Sequence, residues 1–346
     1  MPAEQSAQIN RILFQYDLFP IRVETAGPLI RVVTANGDFA LKRKKLTGDQ
    51  IRHMETAYLL ARRLVIDAVP PLPSKYGDLI ITGEDQCSYL MPWFEETIPE
   101  SDVVERYRRL FVKAGQMHRQ TMQAEGNTDA LFKMALQTVM AGKMQWEQFL
   151  NTAEHHVYPS PFEQTVLNSA GSYLGALEQS NAFFSKGPEK DEDGGNKGFR
   201  RALCHGRLSP LHLLIAGERS CLTNFEECRD DFFIIETAAL VEQANVMLPV
   251  DGSSWDELLR SYVAACPVTD EELAFLYHSL LCPRTTIDLL TQYTSDHTEN
   301  ELWFIRRWVR FAKAQGNLLR CFQHYLEERK KKESAKEEVK DEETSD

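Results

Sequence analysis

The hydrophobic pattern changes period along the chain. Ile30-Arg31-Val32-Val33-Thr34 alternates with period 2, Asn36-Gly37 supplies a tight-turn signal, and Phe39-Ala40-Leu41-Lys42 resumes the alternation. Together these predict a β-hairpin. From Asp49 to Val65 the spacing shifts to helical, with Ile51, Met54, Tyr58, Leu59 and Arg62 on one side and Glu55 a turn into the segment. Pro70-Pro71-Leu72-Pro73 stops that helix, and Leu79–Thr82 and Cys87–Met91 predict two more strands. The first ninety residues thus read as mostly β, with one helix packed on a small sheet.

After Met91-Pro92-Trp93 the pattern is helical. Val103–Thr121 places Val104, Tyr107, Leu110, Phe111, Ala114 and His118 along one side, and Leu131–Leu150 predicts a further helix. Gly187–Asn196 is charged and glycine-rich, with too little apolar surface to order itself, and reads as an exposed loop. Two short apolar strands, Leu213–Ile215 and Cys221–Thr223, flank a turn at Gly217. Helical spacing returns over Thr237–Val246, Trp255–Ala265, Asp270–Leu281 and Asn300–Tyr325. The expected organisation is a β-rich lobe over 1–91, a helical lobe over 92–329, and over 330–346 a charged tail that reads as a frayed helix or disorder.

Composition narrows the classes. The 346 residues are 43% hydrophobic and 26% charged, values of an ordinary globular chain. A formal net charge of −12 without a concentrated basic face argues against nucleic acid or anionic lipid as main partner. No apolar run nears the ~20 residues of a membrane helix, and Met1–Ser6 lacks a basic-then-apolar leader, so no membrane insertion and a cytoplasmic origin are expected. The seven cysteines are scattered without a CxxC pair and read as small buried thiols rather than a zinc or disulfide framework.

The chemistry-bearing segment is Cys204-His205-Gly206-Arg207-Leu208-Ser209-Pro210-Leu211-His212-Leu213-Leu214-Ile215, followed by Leu222-Thr223-Asn224-Phe225-Glu226. It has the outline of a phosphotransferase catalytic loop and metal-binding strand. Such a loop needs a carboxylate to orient the acceptor hydroxyl, an Asn to hold a divalent metal, and an Asp on the next strand to bind that metal between phosphates. This chain carries Arg207, His212 and Asn224 there. A guanidinium cannot act as a base, imidazole is a poor Mg²⁺ ligand, and an amide oxygen is neutral. Glu226, two residues on, would sit ~6–7 Å further along a strand. His205 reads as a brace for the loop, and Arg207 as a structural ion pair with Glu226, Glu227 or Asp230. Lys42, at a strand end thirteen residues before the helical Glu55, suits the ion pair that positions nucleotide phosphates. Gly27 is the only glycine between Phe14 and Ile30, so a glycine-rich phosphate loop is absent.

These motifs, with the β-rich start and helical remainder, resemble the aminoglycoside phosphotransferase and choline kinase branch of the kinase-like fold. Phe39-Ala40-Leu41-Lys42, Ala114-Gly115-Gln116-Met117-His118 and Asn224–Asp230 are similar, more narrowly, to spore coat proteins of the CotS type, including YsxE-like members. The resemblance implies a two-lobed, kinase-like α+β fold. With the degenerate motifs, it implies a catalytically inactive, structural component of the bacterial spore coat, made in the mother-cell cytoplasm and partnered by other coat or morphogenetic proteins. No metal and no cofactor beyond weak ATP binding are expected, in a vestigial nucleotide cleft lined by Lys42, Glu55 and His205. The competing expectation is a divergent ATP-dependent phosphotransferase for an aminoglycoside-like or choline-like hydroxyl.

Overall fold

Alternation at Leu29–Thr34 and the Gly37 turn fold into the expected hairpin, with Thr34 paired to Gly37 and Ile30 to Leu41. A computed structural model describes residues 3–27, 29–83, 86–97, 102–190, 198–295 and 300–343. In chain order the elements are α1 (Ala3–Phe14), β1 (Arg22–Ala26), β2 (Leu29–Thr34), β3 (Gly37–Lys44), α2 (Gly48–Arg62), β4 (Ile81–Thr82), β5 (Cys87–Pro92), α3 (Val103–Gln120), β6 (Gln123–Glu125), α4 (Thr128–His155), α5 (Pro161–Lys186) and β7 (Arg200–Cys204). There follow β8 (Leu213–Ala216), β9 (Arg219–Leu222), β10 (Arg229–Phe232), α6 (Phe233–Met247), α7 (Trp255–Ala265), α8 (Asp270–Leu280), α9 (Arg284–Ser295) and α10 (Glu301–Glu343). Short 3-10 turns cover Pro210–His212 and Phe225–Glu227.

The chain forms two compact units, 1–122 with 202–231 and 123–201 with 232–346. Helix α3 and the His205–His212 loop segment group with the N-terminal residues. Hydrogen bonds account for that grouping. Leu222 N–H donates to Asp67 O (2.8 Å), Val69 N–H to Leu222 O (2.9 Å) and Thr97 N–H to Ile215 O (2.9 Å), tying the β8–β9 hairpin to the segments around β4 and β5.

In the first unit an antiparallel sheet runs β1-β2-β3-β5-β4. Ile9 and Leu13 of α1 pack with Val32, Leu41 and Leu90 in its core. The helix α1, for which the sequence reading gave no expectation, adds to the β-rich start: Ile9, Ile12 and Leu13 recur at helical spacing, Ile9 and Leu13 buried and Ile12 partly buried against the sheet. Helix α2 starts at a capping box, Thr47 accepting from Gln50 N–H and Gln50 reaching back to Thr47 N–H, and buries Met54, Ala57, Tyr58 and Ala61. Leu59, expected on that face, is exposed.

The second unit is helical. Trp146 stacks on Tyr173 (4.9 Å between centroids) and packs against Trp308 (5.4 Å). Phe132 lies edge-on to Phe184, Phe199 and Phe275 within 5.5–5.8 Å. Helix α5, for which the periodicity gave no expectation, begins at a Ser160/Glu163 capping box with Pro161 at its first turn. Helix α10 continues to Glu343, through the run from 330 that reads as a frayed helix or disorder; Lys, Glu and Ala in that run are good helix formers. Most of the expected Gly187–Asn196 loop lies outside the described residues. No helix among the described residues is long and apolar enough to cross a membrane.

Candidate functional site

All the candidate residues fall in the first unit, so their geometry is that of one body. Strand β3 presents Lys42 from the sheet, paired across to Tyr89 of β5. After β9 the chain turns sharply: Asn224 adopts a left-handed conformation (φ 69°), and Phe225–Glu227 coils into a 3-10 turn. Phe225 is fully buried, edge-on to Tyr58 of α2 (5.6 Å) and against the His205 ring (4.8 Å).

This turn sends two side chains to one cation. Lys42 Nζ donates to Asn224 Oδ1 at 2.7 Å and forms an ion pair with Glu226 Oε1. The Tyr89 hydroxyl donates to the same Glu226 oxygen at 2.7 Å. The Glu226 side chain is 3% exposed and that of Lys42 16%. Burial alone would raise the carboxyl pKa, but the Lys42 charge and the hydrogen bonds from Lys42 and Tyr89 outweigh it and hold Glu226 below its ordinary value. Burial pulls Lys42 down, only partly offset by Glu226. Burial, then the neighbouring Tyr58 and Glu226, drives Tyr89 well upward.

The catalytic-loop segment is braced through the two imidazoles. His205, fully buried, donates from Nε2 to Thr223 O (2.8 Å) and accepts the Arg207 N–H at Nδ1 (3.3 Å). His212 donates from Nδ1 to Arg207 O (2.7 Å), and its ring stacks on that of His205 at 5.4 Å. Burial, then His205 and Lys42, lower the His212 pKa to about 4 against the pull of the Arg207 carbonyl, so the ring is neutral at pH 7. Gly206 sits at φ +81°, and a Cβ there would overlap the Glu227 carbonyl. Buried Arg106 of α3 fixes the far side, donating to Pro210 O (3.1 Å) and Leu213 O (3.2 Å) and pairing with Glu96 (2.8 Å).

No protein-family model matches the sequence, and no curated protein matches it either. Solved structures do. An aminoglycoside phosphotransferase from Alicyclobacillus acidocaldarius aligns over 91% of this chain and 95% of its own, with a TM-score of 0.74 at 15% identity. The chain has the aminoglycoside phosphotransferase-like kinase fold. A spectinomycin phosphotransferase solved with ADP and spectinomycin aligns over 90% of this chain and 98% of its own (TM-score 0.55, 11% identity). An amicoumacin kinase complex with AMP-PNP, Ca²⁺ and Ami aligns over 92% and 96% (TM-score 0.54, 14% identity).

Within this kinase fold the sequence-derived positions divide. Lys42, His205, His212 and Asn224 converge on one place. Glu55 does not join them: the partner of Lys42 is Glu226, and Glu55 makes no ion pair among the described residues. Arg207 is exposed and likewise makes no ion pair among them, against the expected bridge to Glu226, Glu227 or Asp230. Glu226 is engaged by Lys42, and Glu227 by Lys44 (3.4 Å) and Gln50 (3.2 Å). Tyr89 was missed altogether, since its only signal was membership of an apolar strand.

The donor set does not fit a magnesium nucleotide. Mg²⁺ between phosphates needs hard anionic oxygen. Asn224 offers a neutral amide already taken by Lys42, and His212 a neutral imidazole. The Glu226 carboxylate is buried under Lys42 and Tyr89, and that of Glu227 is turned to Lys44 and Gln50. Ala26 pairs with Leu29, so only two residues of sequence separate β1 from β2, too few to wrap phosphates.

Proposed function

We propose that this chain is a kinase-fold protein that has given up phosphoryl transfer and works as a structural component, in the bacterial spore coat. One observation carries the first half: the β3 lysine that would position nucleotide phosphates is neutralised internally by Glu226, while the metal and base positions hold Asn224, His212 and Arg207. Support for the second half is the resemblance of Phe39–Lys42, Ala114–His118 and Asn224–Asp230 to coat proteins of the CotS type. Its partners would be other coat or morphogenetic proteins, reached from the mother-cell cytoplasm.

Each half has its own test. A ligand that binds only the native state stabilises it by about 2.7 kcal/mol at a hundredfold excess over Kd. Thermal unfolding unchanged by millimolar Mg-ATP is the expected result, and a rise in Tm abolished by EDTA overturns it. For the second half, a fluorescent fusion expressed during sporulation should form a ring around the forespore; persistent diffuse mother-cell signal refutes coat assembly without touching the first test.

A second reading is a divergent ATP-dependent small-molecule phosphotransferase. The fold it shares with the spectinomycin and amicoumacin kinases favours it. Metal-dependent stabilisation by nucleotide together with turnover of labelled ATP would establish it.

A further inference from the structure

Strand β1 is the end of the five-stranded sheet and, among the described residues, pairs only with β2. An unpaired antiparallel edge is a template for another strand unless charge, bulge or cover blunts it. Here the charges are arranged in a self-complementary way. Arg22 and Glu24 lie on one face of β1, joined at 2.9 Å, with side chains 64% and 40% exposed. Just before the strand, Phe19 and Ile21 are 79% and 72% exposed, an apolar pair beside the open edge.

We propose that β1 is the interface through which two copies of this chain pair antiparallel, continuing the sheet across a two-fold axis. Directly opposite residues in such a pairing must point to the same face, so a symmetric pairing has to centre on a residue. Centring on Arg22 sets it against its own copy, and centring on Glu24 sets two carboxylates together; both oppose like charges. Centring on Val23 sets Arg22 against Glu24 of the second copy and Glu24 against the second copy's Arg22. In that register Ile21 faces Thr25 of the second copy and gains cover. The contact is short, which places the dimer at the weak end of specific interfaces.

Sedimentation equilibrium of the full chain, run up to millimolar concentration, tests the pairing. The wild type should be in concentration-dependent monomer–dimer equilibrium. Arg22→Glu should weaken the dimer about tenfold, since two cross-strand attractions become repulsions. The swap Arg22→Glu with Glu24→Arg should restore wild-type affinity, and an equimolar mixture of the two single variants should pair better than either alone. Because Arg22 is the more exposed, Arg22→Glu is the decisive variant if Glu24→Arg, which faces Arg31 across β2, disturbs the sheet. A wild type monomeric throughout, or a dimer that Arg22→Glu leaves at wild-type affinity, overturns the proposal.

Discussion

Replacing Glu226 by Ala probes the buried network on which the functional reading turns. The substitution removes the counter-charge of Lys42 and the acceptor of the Tyr89 hydroxyl together. Breaking a buried pair by deleting one partner costs about 3–5 kcal/mol, and an orphaned buried donor about 1–3. Lys42 keeps its bond to Asn224 and 16% exposure, which sets the expectation at the low end, about 3 kcal/mol. Lys42→Met, which strands the Glu226 charge, should cost a similar amount. The double variant Lys42→Met/Glu226→Gln should cost less than the sum, with a coupling energy of about 2 kcal/mol.

Because the chain has two compact units, a single unfolding curve mixes them. Native-state hydrogen exchange at β3 and β5 amides reads the first unit by itself. The pH dependence adds a second handle. A carboxyl held below its ordinary 4.5 contributes stability that is fully present above that value and lost as pH falls through its native pKa. Lys42, lowered from 10.5, works oppositely: it costs stability at neutral pH, and that cost is relieved as pH rises through its native pKa toward 10.5. The acid-side slope should therefore flatten in Glu226→Ala. A loss under about 1 kcal/mol, additive with that of Lys42→Met, would refute a coupled buried pair.

Three further outcomes follow from the loop. Gly206→Ala forces an L-residue to φ +81° against the Glu227 carbonyl and should destabilise by about 3 kcal/mol or more in urea titration. The His212 ring should titrate by NMR with a midpoint near 4, not the ordinary 6.5; the native state thus loses stability as pH drops from 6.5 toward 4, and a 6.5 midpoint would place the ring in solvent. Arg106→Met strands Glu96 and the Pro210 and Leu213 carbonyls, for an expected loss of about 3 kcal/mol with faster exchange at β8, whereas unchanged exchange there would deny the bracing role.

The first sheet was legible because its hairpin has both period-2 alternation and an Asn-Gly turn, two signals that agree. Helix α7 was legible to the residue, Trp255–Ala265, since its polar and apolar faces separate cleanly. What escaped had a tertiary cause. Helix α1 shows one short apolar stripe, Ile9, Ile12 and Leu13, that means little until the sheet beneath it is present. Val104 reads as part of the buried stripe of α3 yet is 38% exposed, while Met117 is buried, because packing rather than periodicity chose the face. Contacts distant in sequence are likewise invisible to periodicity: Leu222 and Ile215 hydrogen-bond back to Asp67, Val69 and Thr97.

The most consequential departure from the sequence expectation concerns Glu226, and a single dihedral explains it. Treated as a strand residue, Glu226 would project ~6–7 Å beyond Asn224 along one face, too far to share a ligand with it. Asn224 instead takes φ 69°, a conformation that asparagine tolerates better than most residues, and the following 3-10 turn folds the chain back. Residues 224 and 226 then both reach Lys42 Nζ. An aspartate at 224 would bring a second carboxylate beside Glu226, two like charges at one ammonium. The neutral amide and the internal glutamate are therefore a matched pair: with Glu226 buried on Lys42, Asn at 224 avoids the repulsion, and the lysine is satisfied with no phosphate present. The amide at 224 and the satisfied lysine are thus one electrostatic solution, which sequence spacing alone could not disclose because the turn that builds it lies in the backbone.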